Sequence, residues 1–208
     1  MPVESRMCRS GGNTEETQLW LPTYAALCMA FLIFCVLLSF SKESPQAQQH
    51  KQLVTMQTHV FNDILAFIDH NDMDAGIEAV LEEASITLRL AEDTLFAAGT
   101  AQILPTGLKI LNQLKDLFII QEQQTINIRG YTDDKAPPAG ARFRDNWELS
   151  ALRAAQILRH LLARGIEPGR LTATGFGELE PLFPNTLEEN RAKNRRIEFV
   201  LERRPGKE

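Results

Sequence analysis

NWELSALRAAQILRHLLARG, residues 146–165, is the stretch that decides the fold of this chain. Ala151, Ala154, Ala155, Leu158, Leu161 and Leu162 recur at three- and four-residue spacing, the period of a helix with one buried face. Asn146 suits the N-cap, because its side-chain oxygen can accept an orphan backbone N–H. Gly165 suits the exit, where a left-handed residue closes the last turn. On both flanks the period drops to two. Ile126 and Ile128 alternate with Asn127 and Arg129 up to Gly130, and a short run follows from Leu171 to Thr174, so a strand is expected on each side.

The same alternation at Ile86, Leu88 and Leu90, and again at Ile197, Phe199 and Leu201, predicts an opening and a closing strand. Pro105 starts a helix carrying Leu108, Leu111, Leu114 and Phe118. Thr186 and Glu189 have the spacing of a capping box ahead of a short helix. The expected order is β-α-β-α-β-α-β, an α/β fold (an α+β sandwich) over residues 82–204 with its helices on one face of a small sheet.

Upstream, Thr17 to Ser41 holds no charged residue and Leu19 to Phe40 is almost wholly apolar. Roughly 22 residues at ~1.5 Å each span about 33 Å, enough for a bilayer core. Trp20 and Tyr24 suit an interfacial aromatic belt, and Pro22 falls in the first turn. The run exceeds a signal-peptide core of about 7–15 residues, and Ser39-Phe40-Ser41 is a poor cleavage site. A single transmembrane helix over 19–41 is therefore expected after a tail of residues 1–18. Arg6 and Arg9 before it, and Lys42 and Lys51 after it, leave the orientation open on charge alone. Residues 42–81 read as a polar linker with Pro45, then an amphipathic helix with Leu53, Val60, Phe61, Ile64, Leu65 and Ile68 on one stripe. Asn71 to Gly76 lacks the ligand alternation of a calcium loop and reads as a turn.

Several functions are excluded by what is missing. A net charge of −5 over 208 residues gives no electrostatic case for nucleic acid. Cys8, Cys28 and Cys35 all precede the domain and have no metal-ligand spacing. His50, His59, His70 and His160 are scattered; there is no HExxH, G-x-S-x-G or Walker motif, and Gly175-Phe176-Gly177 lacks the third glycine of a dinucleotide fingerprint. No nucleophile stands beside a base, so neither an enzyme, a cofactor nor a metal is expected. What is present is a set of polar residues at element ends: Asp133, Asn146, Arg153, Asn190, Arg191, Asn194 and Arg196. Ligands of open α/β sheets bind in such places. By spacing alone each residue also has a framework reading: Asn146 as a cap, Arg153 as a surface charge, Asn194 as a turn residue.

Four blocks then carry a resemblance. Gly130-Tyr131-Thr132-Asp133, Asn146-Trp147-Glu148-Leu149-Ser150-Ala151-Leu152-Arg153-Ala154, Gly175-Phe176-Gly177 and Asn194-Arg195-Arg196-Ile197-Glu198 resemble, in order, the G-H-T-D, N-x-x-L-S-x-x-R-A, G-x-G and N-R-R-V-E pattern of OmpA-like peptidoglycan-binding domains. The second block is particularly similar to the MotB branch. The resemblance implies non-catalytic binding of peptidoglycan through the diaminopimelate of its stem peptide, with Asp133 and Arg153 as principal contacts and Thr132, Asn146, Asn194 and Arg196 around them. A zwitterionic ligand needs an anion for its ammonium and a guanidinium for its carboxylate. Tyr131 stands where the family usually has His. The loop from Lys135 to Asp145 is longer than in many such domains.

Trp20, Thr23-Tyr24-Ala25-Ala26-Leu27 and Val36-Leu37-Leu38-Ser39-Phe40-Ser41 likewise resemble the membrane helix of stator subunits, with Ala26 at the position of the ion-carrying aspartate. That implies a cytoplasmic N-terminus, a periplasmic domain at the inner membrane, contact with lipid, a homodimer, and a plug-like helix after Leu53. The implied function is a membrane-tethered cell-wall anchor without ion conduction. The alternatives are a flagellar stator subunit working with a MotA-like partner, and a tether for a secretion or envelope machine.

Overall fold

The computed structural model describes residues 21–40, 45–71, 76–82, 85–137 and 142–204. The tail 1–18, both ends of the expected span (Leu19, Trp20, Ser41), turn residues 72–75 and loop residues 138–141 lie outside the described residues. The chain divides into two compact units, Met1–His50 and Lys51–Glu208.

In the first unit, α1 runs from Leu21 to Phe40, apolar on all sides rather than along one stripe. Tyr24, Leu27, Phe31, Leu32 and Phe34 are all exposed. Among the described residues no helix is long and apolar enough to cross a membrane. The side chains described in α1 run only from Pro22 to Leu37, about 24 Å at ~1.5 Å per residue, against about 30 Å of hydrocarbon.

Helix α2 (Pro45–His70) leads into the second unit. There follow β1 (Ile77–Glu82), β2 (Ser85–Ala91), α3 (Glu92–Leu95), α4 (Pro105–Ile120), β3 (Gln124–Tyr131), α5 (Asn146–Ala163), β4 (Leu171–Gly177), α6 (Glu188–Asn194) and β5 (Arg196–Arg203). The sheet order is β1-β2-β5-β3-β4. Among the described residues only the β3–β4 pair is parallel, as it must be when α5 carries the chain back over the sheet. The four expected strands are present, and the structure adds β1, which pairs antiparallel with β2.

Register follows from the alternation. Leu88 and Ile128 both face Phe199, and Ile86 and Ile126 both face Leu201, so apolar side chains of three neighbouring strands form continuous rows. All are fully buried, together with Leu111, Leu114, Phe118, Ile157 and Leu161 from α4 and α5. Each such burial contributes about 1.5–3 kcal/mol. Ile64 and Ile68 of α2 join the same cluster, whereas Leu65 of the expected stripe is exposed. Apart from the buried Val200, the intervening strand residues are polar: Arg89 opposes Glu198 and donates to it at 3.2 Å.

Helix α5 begins one residue earlier than the sequence suggests. Asp145, not Asn146, is its N-cap, accepting the Glu148 N–H at 2.8 Å. Its buried residues include Leu149, Ala154, Ile157 and Leu161, while Ala151 is exposed. Arg164 caps the C-terminus, and Gly165 follows with φ +91°. The helix lies close on the parallel pair. A Cβ added at Gly130 would sit 2.5 Å from the Ser150 carbonyl oxygen, and one at Gly175 would sit 2.7 Å from Ala151 Cα. At α6 the N-cap is Leu187, with no side-chain cap, so Thr186 does not form the expected capping box.

Candidate functional site

The end of β3 is aimed by a register shift. Gly130 pairs with Gly175, but Tyr131 pairs with Gly177, so β4 carries one extra residue there and re-aims the chain that follows. The Thr132 N–H then donates to the Gly177 carbonyl at 2.7 Å, and Gly177 takes φ +56°, a left-handed conformation that suits glycine. Thr132 is buried, with its hydroxyl on the Asp133 carbonyl. Asn146, freed from capping, donates from Nδ2 to the same carbonyl at 3.2 Å and to Glu178 at 3.3 Å. Two buried polar residues, Thr132 and Asn146, one from each of the first two sequence blocks, thus fix the backbone at Asp133.

The Asp133 side chain is only 8 % exposed and has two partners. Oδ1 accepts the Lys135 N–H at 3.1 Å, and Oδ2 accepts from Arg195 Nη1 at 2.6 Å. Arg195 also reaches Glu188 at 3.2 Å, and Glu188 takes Lys135 Nζ at 2.7 Å. Alongside, Arg191 holds Asp134 at 2.8 Å. The Arg191 bond draws the Asp134 carboxyl below the usual carboxylate range, and the bonds from Lys135 and then Arg195 do the same to Glu188.

Arg153 comes from the second turn of α5 and is 1 % exposed. Its Nη2 donates to Glu92 Oε1 at 2.5 Å, its Nε donates to the Thr100 carbonyl at 2.8 Å, and its guanidinium lies 5.5 Å over the Phe96 ring. Burial pushes the Glu92 carboxyl up and the Arg153 guanidinium down, against the attraction between them. Desolvation outweighing a close ion pair is the usual balance for buried charges. Asp133 and Arg195 act through space on both members of this pair. Two ion pairs, Asp133–Arg195 and Glu92–Arg153, therefore form one charge cluster.

Beside the cluster is a cleft of about 240 Å³ lined by Glu92, Asp93, Gly99, Glu188, Ala192 and Arg195, among others. Three carboxylates and one guanidinium face it, a chemistry that accepts a ligand cation and offers one charged fork to a carboxylate. Among the described residues no group of three or more His, Cys, Asp or Glu is placed to hold a metal ion.

The sequence-expected residues therefore divide. Asp133, Arg153, Asn146 and Thr132 are brought to this end of the sheet. Asn194 is fully buried and latches the preceding loop, bonding the Phe183 N–H and carbonyl and Asn185. Arg196 pairs with Glu198 at 2.7 Å, donates to the Asn194 and Glu180 carbonyls, and stacks 3.8 Å over the Tyr131 ring. Tyr131, in the family's His position, is sandwiched between Arg196 and Phe176, and burial pushes its hydroxyl up to about 12. Arg195 is the C-cap of α6, and β5 starts only at Arg196. Arg195, overlooked beside Arg196, is the member of that pair that faces the cleft. Glu92 was also overlooked: it stands among the charged residues Arg89 and Asp93, and only the fold shows that it is buried against Arg153.

Comparison with known proteins bears on the family and the fold. The OmpA family pattern matches residues 95–195. A crystal structure from Desulfovibrio vulgaris, described as MotB-like, is 52% identical, with a TM-score of 0.73 over 75% of this chain and 99% of that one. Motility protein B of Helicobacter pylori is 32% identical over 58% of this chain and 47% of its own length. The peptidoglycan-binding protein ArfA of Mycobacterium tuberculosis is 33% identical over 51% of this chain and 31% of its own. The chain thus spans about half the length of the first of these curated relatives and about a third of the second.

Proposed function

This chain belongs to the OmpA family, as a MotB-like member, and from that premise we propose that it is a membrane-tethered anchor that binds peptidoglycan without catalysis. The observation that carries the reading is the convergence of Asp133 and Arg153 in one buried charge cluster beside a cleft. Diaminopimelate in a stem peptide presents an ammonium and a carboxylate on one carbon. Its ammonium replaces the Arg195 guanidinium on Asp133. Its carboxylate meets the Arg195 fork so released, or Arg153 once Glu92 moves aside. Binding is then an exchange of ion pairs, in which no charge is left buried alone at either end. The similarity to ArfA supports the ligand class.

Tethering is assigned to α1. Its exposed apolar side chains on every side suit lipid rather than water, and the apolar run of the sequence extends beyond the described helix at its N-terminal end. In this reading residues 1–18 are cytoplasmic, 19–41 span the inner membrane, 42–81 are a linker with a plug-like helix, and 82–204 bind the wall in the periplasm as part of a homodimer. The test is co-sedimentation of the full chain, in detergent, with purified peptidoglycan. Wild type should pellet and Asp133→Ala should stay in the supernatant while unfolding at a similar denaturant concentration. Pelleting of the folded variant would sink the site.

The similarity to motility protein B favours a second reading, a stator subunit acting with a MotA-like partner. With Ala26 where the ion-carrying acid belongs and no acid from Thr17 to Ser41, the relay group would come from another chain. A deletion strain separates the two. Lost swimming supports the stator, and normal swimming with a weakened envelope supports the anchor or an envelope-machine tether.

A further inference from the structure

A larger depression borders the cleft and has no part in the reading so far. It has a volume of about 970 Å³ and follows α5, where Leu152, Gln156 and Arg159 succeed one another on one helix face. The chain from Gly99 to Ile103 also lines it, as do Arg142 and Phe143. Gly99 lines both depressions, and Thr100, in the groove wall, is the residue whose carbonyl Arg153 holds. The two therefore share a wall braced by the buried ion pair. From Glu148 to Arg159 the groove floor extends about 16 Å at ~1.5 Å per residue. That matches about five residues of extended peptide at ~3.3 Å each.

The charges in this groove are uneven. Arg142 and Arg159 are exposed and make no ion pair among the described residues. By contrast Arg144, Arg153, Arg191, Arg195 and Arg196 each hold a carboxylate. The acid lining the groove, Glu148, is occupied by Arg144 through its N–H at 2.8 Å and its Nε at 3.3 Å. A chain of net charge −5 thus presents uncompensated positive charge along one trough of mixed polar and apolar lining.

We propose that this groove is a second binding site, for the acidic residue next to diaminopimelate in the same stem peptide. That residue is a glutamate linked through its side chain, so its α-carboxylate is free to meet Arg142 and Arg159, with Thr100, Gln102 and Gln156 available to its amides. The proposal rests on the cleft reading above for the position of the neighbouring residue. The groove adds what one zwitterion cannot: a preference for peptide over free amino acid, set by a second anion.

The test uses the full chain in detergent micelles and three probes: free diaminopimelate, γ-glutamyl-diaminopimelate, and the same dipeptide with its glutamyl α-carboxylate amidated. The dipeptide should bind about tenfold more tightly than its amide, the effect of two partly exposed charge contacts. Arg142→Gln combined with Arg159→Gln should erase that difference and leave the affinity for free diaminopimelate unchanged. Equal affinity of wild type for dipeptide and amide overturns the groove, and so does discrimination that survives in the double variant. If the dipeptide binds and is distinguished from its amide while free diaminopimelate fails to bind and Asp133→Asn changes nothing, the groove stands and the cleft reading falls. If none of the three probes binds, both fall.

Discussion

Replacing Arg153 with Ala should destabilise the second unit by about 4 kcal/mol. The Arg153 and Glu92 side chains are 1 % and 9 % exposed and lie 2.5 Å apart. Removing one partner of a buried pair strands the other charge, at about 3–5 kcal/mol. The Thr100 carbonyl also loses a charged donor, about 1–2 kcal/mol. Some of this is recovered because Glu92, whose carboxyl burial already pushes up, can take a proton. Against a total stability of about 5–15 kcal/mol this is a large share. With a urea m-value of about 2 kcal/mol/M it moves the midpoint by about 2 M. The Lys51–Glu208 fragment holds a single tryptophan, Trp147, at the first turn of α5, so its fluorescence reports the transition. Replacing both partners, Glu92→Gln with Arg153→Met, should restore most of the loss, because no charge then remains buried. A cost below about 1 kcal/mol for Arg153→Ala, or a double variant no better than the single, would refute this account. The same result bears on binding experiments: lost pelleting by an Arg153 variant is informative only beside its unfolding curve.

Further outcomes follow from other contacts. Glu92 carries a folded-state pKa above its ordinary value, so the folded state holds more protons in that window and stability falls as pH rises through it from about 4.5. The urea midpoint of wild type should therefore fall relative to that of Glu92→Gln from acid toward neutral pH, and a relative rise would contradict the sign. Gly175→Ala should lower stability by about 1–3 kcal/mol or prevent folding, since its Cβ would meet the α5 backbone; an unchanged thermal midpoint would show the helix free to move off the sheet. Asp145→Ala should cost about 1 kcal/mol and Asn146→Ala should not act as a cap loss, a contrast readable in the same denaturation series. Arg170→Ala should cost about 3 kcal/mol, because its buried guanidinium ties together the carbonyls of Phe118, Gln121 and Gln124.

The elements legible in the sequence were those with strict period. Ile86-Leu88-Leu90, Ile126-Ile128 and Ile197-Phe199-Leu201 alternate cleanly because each packs against its neighbours on one face. Strand β1 escaped because Ile77–Glu82 is an edge strand, only Ile77 of which is buried, and its Ala and Glu residues carry little strand preference. Asp133 and Arg153 were named from the motifs they sit in. Their partners were not, because Glu92 and Arg195 lie 61 and 62 residues away in sequence, and pairing at that distance leaves no local pattern. The choice of Arg196 over Arg195 was a matter of facing. The motif fixes two adjacent arginines, of which Arg195, capping α6, meets Asp133, while Arg196, opening β5, pairs with Glu198.

The placement of β5 has a consequence for how the unit is made. It follows every other strand in the chain, yet lies between β2 and β3 in the sheet. Until it arrives, the β1–β2 hairpin and the β3–β4 pair are two separate ribbons, each with an unsatisfied inner edge. Folding during synthesis is therefore deferred: the unit locks only when its final strand zips both halves together.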